Sequence, residues 1–136
     1  MRAISSRNPS AVVMVRGVKR VNDTYGHHVG DEALKRLAAI LKHRLRVTDS
    51  LGRWGGDEFA VLLPRVDRPQ AEEIADLLAS SLADEPLEVG DEIVVLSAST
   101  GLACYGGQPT SIGELAAEAD RAMYETKRGK PQANRA

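Results

Sequence analysis

The stretch Arg53-Trp54-Gly55-Gly56-Asp57-Glu58-Phe59-Ala60-Val61-Leu62-Leu63-Pro64 decides how this chain is read. Phe59 to Leu63 is an apolar run of strand length, and Pro64, which has no N–H to donate, closes it. Leu51 to Trp54 reads as the partner arm of a hairpin. Between the arms, Gly55-Gly56 is expected to supply the positive φ angles of a tight turn. Asp57 and Glu58 follow directly on the tip. Adjacent carboxylates on a rigid turn can hold a hard divalent cation and leave room for phosphate oxygens. Taken alone, the same four residues read more simply as a polar turn.

Working outward, the run Ala11 to Val15 is apolar and β-branched, and predicts a buried strand. Leu34, Leu37, Ala38, Leu41 and Leu45 recur at helical spacing. Arg44 and Arg46 stand near the end of that helix, where cations suit its dipole. Beyond the hairpin, Asp67 and Gln70 form a capping box for a second helix with a stripe of Ala71, Ile74, Ala75, Leu78 and Leu82. A second hairpin, Leu87 to Val89 with Glu92 to Leu96, turns at Gly90-Asp91. Ser97 to Tyr105 reads as a strand with Gly101 at a bulge. Ser111 and Glu114 cap a last helix that buries Ile112, Leu115, Ala116, Ala119, Ala122 and Met123. The tail after about residue 129 is polar and is expected to be flexible. This order predicts an α/β or α+β sandwich in one domain spanning residues 1–136, with helices covering a central sheet.

Composition narrows the function. The 136 residues are 43% hydrophobic and 27% charged, as in ordinary soluble domains. Eighteen basic and nineteen acidic residues leave a formal net charge of -1, with no basic surface of the kind that binds nucleic acid. No segment approaches the length of a membrane span. The one cysteine, Cys104, lies in an apolar run and reads as a buried, inert thiol, a usage that suits a reducing cytosol. A cytoplasmic location is therefore expected.

Three motifs share one resemblance. Arg53 to Pro64 is similar to the signature of the GGDEF family of diguanylate cyclases. Asn22-Asp23-Thr24-Tyr25-Gly26-His27 with Gly30-Asp31 matches that family's N-D-x-Y-G-H-x-x-G-D stretch. Ala119-Asp120-Arg121-Ala122-Met123-Tyr124 with Lys127 resembles its A-D-x-A-L-Y-x-A-K helix. The resemblance implies a central, mainly antiparallel sheet flanked by helices, as in adenylate cyclase catalytic cores and polymerase palms. It implies the condensation of two GTP into cyclic di-GMP and two pyrophosphates, with magnesium or manganese as cofactor. Each copy in a homodimer presents one GTP, and sensor or other signalling domains would lie outside this chain.

The same resemblance assigns roles by position. Asn22 and Asp31 would read the guanine edge. Asp57, Glu58 and Val15 would hold metal, and Glu58 is alternatively the base for the attacking hydroxyl. Gly17 and Val18 would face the terminal phosphates through their backbone. Lys19, counted with Asp57 and Glu58 as catalytic, would meet phosphate together with Lys127 and Lys130. Arg46 and Asp49 stand at the spacing of the family's product-binding R-x-x-D motif, whose Arg forks onto a guanine edge.

The chain also departs from the pattern. The family's first strand carries D-x-D-x-F-K, and its first Asp is a metal ligand. Here that Asp falls on Met14, the second on Arg16 and the Phe on Val18. A thioether is a poor ligand for magnesium, which takes hard oxygens. Arg16 adds a fixed cation on the same strand face. The family's L-T-x-L-x-N-R-R element has no counterpart before Ala11, and Lys130 stands where an arginine is usual. Two readings follow: a diguanylate cyclase with weak or absent turnover, or a non-catalytic regulatory domain that binds GTP or cyclic di-GMP.

Overall fold

The computed structural model describes residues 3–4, 10–17, 24–96, 98–106 and 110–129; of residues 3–4, 89 and 126–129 it describes the backbone alone. In chain order the elements are β1 (Ala3–Ile4), β2 (Ser10–Arg16), α1 (His27–Arg44), β3 (Ser50–Arg53), β4 (Glu58–Pro64), α2 (Arg68–Ala83), β5 (Leu87–Val89), β6 (Glu92–Val94), β7 (Ser99–Tyr105), β8 (Thr110–Ser111) and α3 (Ile112–Gly129).

The central sheet runs β3-β4-β2-β7, antiparallel throughout. Strand β2 sits inside it and is buried from Ser10 to Val15. Alternation along β2 serves two cores. Ala11, Val13 and Val15 pack with Leu34, Leu37 and Leu41 of α1 and Ala71, Ala75 and Leu78 of α2. Val12 and Met14 pack on the opposite face with Leu115, Ala116, Ala119 and Met123 of α3. An uninterrupted apolar strand is what a sheet covered on both faces requires. The expected α+β sandwich with a mainly antiparallel sheet is the one observed. Among the described residues no helix is long and apolar enough to cross a membrane.

Several local expectations hold. Asp67 accepts from Gln70 N at 2.9 Å, and Gln70 Oε1 accepts from Asp67 N at 2.9 Å. Glu114 N donates to Ser111 Oγ at 3.2 Å at the start of α3. Gly90 turns the second hairpin with φ 60°. Others need correction. Arg46 lies beyond α1, whose last turn carries Lys42, His43 and Arg44. Ile74, Ile112 and Ala122 are only partly buried, and Ser81 joins the α2 stripe. Gly55 and Gly56 are not positive-φ residues; among the described glycines those are Gly26 and Gly90. Gly55 instead makes room, since a Cβ there would lie 3.2 Å from Glu58 Oε1. The register of β2 with β7 runs unbroken through Met14↔Gly101, so Gly101 marks no bulge. The pairing of β1 with β8 was not foreseen.

Candidate functional site

The hairpin β3–β4 carries its tip to the C-terminal end of β2. Arg16, the last residue of β2, pairs in register with Glu58, the first of β4. Trp54 N and Gly55 N both donate to Glu58 O, at 2.9 and 3.3 Å, which folds the tip back on itself. Arg53 clamps it from outside, its Nε donating to Gly55 O at 3.1 Å and its Nη2 to Gly56 O at 2.7 Å. Asp57 and Glu58 are thus fixed in place, with side chains 17% and 12% exposed.

Both carboxylates face Arg16. Its Nε lies 3.4 Å from Asp57 Oδ2 and 3.9 Å from Glu58 Oε2. None of these three atoms reaches solvent or has a hydrogen-bond partner. Asp120, on α3, closes the corner from the other side by a hydrogen bond with Glu58. The Glu58 carboxyl is pushed up to about 7. Burial is the main cause, followed by the hydrogen bond and charge of Asp120; Asp57 adds to the rise and Arg16 opposes it. Asp120 was quoted in the sequence only as part of a motif. Its signal was helical phase, since it neighbours buried Ala119 and so stands at the rim of the α3 stripe.

The residues of this corner do not fit the divalent cation that the resemblance implies. Met14 is fully buried between the sheet and α3 and offers only a thioether. The guanidinium of Arg16 already faces both remaining carboxylates. Among the described residues no group of three or more His, Cys, Asp or Glu side chains is disposed to hold a metal ion. The side chain of Val15 is fully buried, and its backbone pairs with Phe59 on one side and Thr100 on the other.

A second feature lies on the far side of the hairpin. An open groove of about 560 Å³ is lined by Lys42, Arg46, Asp49, Gly52, Arg53 and Phe59, among others. Arg46 and Asp49 are locked together: Nη2 donates to Oδ1 at 2.7 Å, Nε to Oδ1 at 3.0 Å, and the main-chain N to Oδ2 at 2.8 Å. Arg46 Nη2 also donates to Pro64 O at 2.7 Å, which ties the pair to the end of β4. Asp49 is 3% exposed in its side chain and Arg46 48%, so the buried acid orients a half-open guanidinium. Lys42 and Arg53 join this groove although the sequence reading assigned them no such part.

The structure therefore brings Asp57 and Glu58 to one corner and Arg46 and Asp49 to one groove. Gly17 follows directly on Arg16, and Asp31 is exposed on α1. Val18, Lys19, Asn22 and Lys130 lie outside the described residues, and Lys127 falls in α3 with its side chain outside them.

Comparison with known proteins converges on one family. The family described as diguanylate cyclase, GGDEF domain, matches residues 2–133. The uncharacterised protein YhcK of Bacillus subtilis is 42% identical over 111 residues, covering 80% of this chain and 31% of that protein. Diguanylate cyclase DgcP of Pseudomonas aeruginosa is 36% identical over 119 residues, covering 87% of this chain and 17% of that one. The chain thus spans less than a third of the length of either relative. The crystal structure of the GGDEF domain of YfiN from Pseudomonas aeruginosa superposes with a TM-score of 0.81 at 36% identity, over 90% of this chain and 78% of that one. Motifs, fold and relatives agree, and the chain belongs to the GGDEF domain family of diguanylate cyclases.

Proposed function

We propose that this GGDEF domain recognises guanine nucleotides and turns GTP over weakly or not at all. The observation that carries the reading is the position of Arg16, 3.4 Å from Asp57 and 3.9 Å from Glu58, beside the buried thioether of Met14. Condensing two GTP into cyclic di-GMP demands neutralisation of phosphate charge as it shifts in the transition state. A guanidinium committed to two carboxylates neutralises those carboxylates and contributes little to a phosphate. Catalysis suffers more from this than nucleotide binding does.

Binding is supported by the groove. The Arg46 fork is held by Asp49 and Pro64 O, with half of its side chain exposed, and Lys42 and Arg53 line the same groove. Arg46 Nη1, which makes none of these bonds, is left to donate to the acceptor edge of guanine. Cyclic di-GMP, with two guanines and two phosphates, is the ligand proposed here. GTP would be read by Asn22 and Asp31, with Gly17, Val18, Lys19, Lys127 and Lys130 toward its phosphates. Any residual turnover would need two copies, each presenting one GTP.

Two measurements on the purified chain test the reading. Incubation with GTP and magnesium or manganese, followed by chromatography, is expected to yield little or no cyclic di-GMP. Calorimetry with cyclic di-GMP is expected to show binding. Efficient product formation would overturn the first half, and no binding would overturn the second.

A further inference from the structure

The acidic corner carries its own cation. Arg16 enters it from the last position of β2, opposite Glu58 in register. Its Nε, Asp57 Oδ2 and Glu58 Oε2 are all shut off from solvent, yet none makes a hydrogen bond. They meet at 3.4 and 3.9 Å as charges rather than as an aligned donor and acceptors. A guanidinium never loses its proton in a protein, so the charge is permanent. Met14, on the same strand face, fills the neighbouring space with a fully buried soft ligand.

We infer that Arg16 is the resident cation of this corner and excludes divalent metal from Asp57 and Glu58. The inference rests on the reading of a nucleotide-binding site with little or no turnover, and it deepens that reading: the corner keeps its fold and its charge balance without magnesium. An ion approaching Asp57 must displace a tethered guanidinium or lie within a few ångströms of it. Like charge at that range, in a site largely shut from water, lowers metal affinity by at least about tenfold. The guanidinium is attached to the chain, whereas the metal must be drawn from solution.

Manganese alone, without nucleotide, is the probe, with free ion read by its electron paramagnetic resonance signal. The parent chain is expected to take up no manganese at millimolar concentration. Arg16→Gln keeps a polar side chain and drops the charge. It is expected to bind manganese at least about tenfold more tightly than the parent and to melt higher when the ion is added. Adding Asp57→Asn to that variant is expected to abolish the gain, which places the ion at this corner. Arg16→Lys keeps the charge and is expected to stay blind to manganese. Equal binding by parent and Arg16→Gln, whether tight or absent, overturns the inference. So does an Arg16→Gln chain that fails to fold even with manganese present, because the metal then cannot stand in for the guanidinium. Cyclic di-GMP formation by the parent would strike the proposed function, and the manganese comparison would still decide this inference by itself.

Discussion

Arg46 and Asp49 close on each other through both side chain and main chain: Nη2 to Oδ1 at 2.7 Å and backbone N to Oδ2 at 2.8 Å. The three-residue spacing makes this a local turn, and the bond from Nη2 to Pro64 O anchors it to the central sheet. The guanidinium is therefore pre-organised, and less side-chain entropy is lost when a ligand arrives.

The first prediction follows from that fork. Arg46→Ala is expected to weaken cyclic di-GMP binding by about 1.5–3 kcal/mol, the usual worth of a hydrogen bond from a charged donor. Calorimetry on parent and variant measures it, with a melting curve on each to show that both are folded. Equal affinities would remove the groove from the account.

A second prediction concerns the way α3 seats on the sheet. A Cβ on Gly101 would lie 2.3 Å from the carbonyl oxygen of Ala119 and 2.4 Å from the backbone N of Met123. Both are backbone atoms, so relief requires the whole helix to shift. Gly101→Ala is expected to lose about 2 kcal/mol or more by overpacking. Because α3 carries Asp120 against Glu58, the acidic corner should loosen as well. Urea unfolding gives the stability change, and a variant as stable as the parent would contradict the packing described.

Gly101 also shows where the sequence stops being legible. Apolar runs located β2, β4 and β7, and the 3.6-residue period located α1, α2 and α3, because burial writes itself into side-chain type. Glycine has no side chain and so does not announce its use. At Gly55 and Gly101 it makes room for a neighbour, whereas the sequence reading expected backbone freedom or a bulge. The pairing of Ala3–Ile4 with Thr110–Ser111 joins two strands too short to carry a periodic signal, across almost the whole chain. In the site, Asp57, Glu58, Arg46 and Asp49 were legible by type and spacing. Reading Asp120, Lys42 and Arg53 as neighbours of those residues required the helix and hairpin to be placed in space.

Cys104 gives the third prediction. It is partly rather than fully buried, and its thiol is raised above the ordinary range, first by burial. Glu72, Glu118 and Asp67 add to the rise, and Arg68 opposes it. The folded chain therefore holds the thiol proton more tightly than the unfolded chain. The sign of the linkage is that stability falls as pH climbs through the thiol range. Alkylation by iodoacetamide at mildly alkaline pH should be several-fold slower in the native chain than in urea, since only the thiolate reacts. Equal rates would show that the β7 environment leaves the thiol unshielded.

The last prediction bears on turnover. Met14 and Arg16 lie on one face of β2, at the two positions where the resemblance read from the sequence leads one to expect carboxylates. Met14 is fully buried against Ala119 and Met123. Met14→Asp alone should therefore lose about 3 kcal/mol or more, from lost packing and a carboxylate buried beside an existing acidic pair. Combining it with Arg16→Asp removes the guanidinium and supplies hard oxygens on the same face. That double variant should be less stable than the parent in metal-free buffer and should recover stability when manganese is added. With GTP and magnesium it should form cyclic di-GMP at least about tenfold faster than the parent, if the cation exchange is what limits the rate. Chromatography of the nucleotide mixture reads the product, and the melting curves establish separately that the metal is bound. A double variant that binds metal and GTP yet gains no rate would place the defect outside β2. A parent that already turns GTP over efficiently would show that Arg16 leaves the chemistry intact.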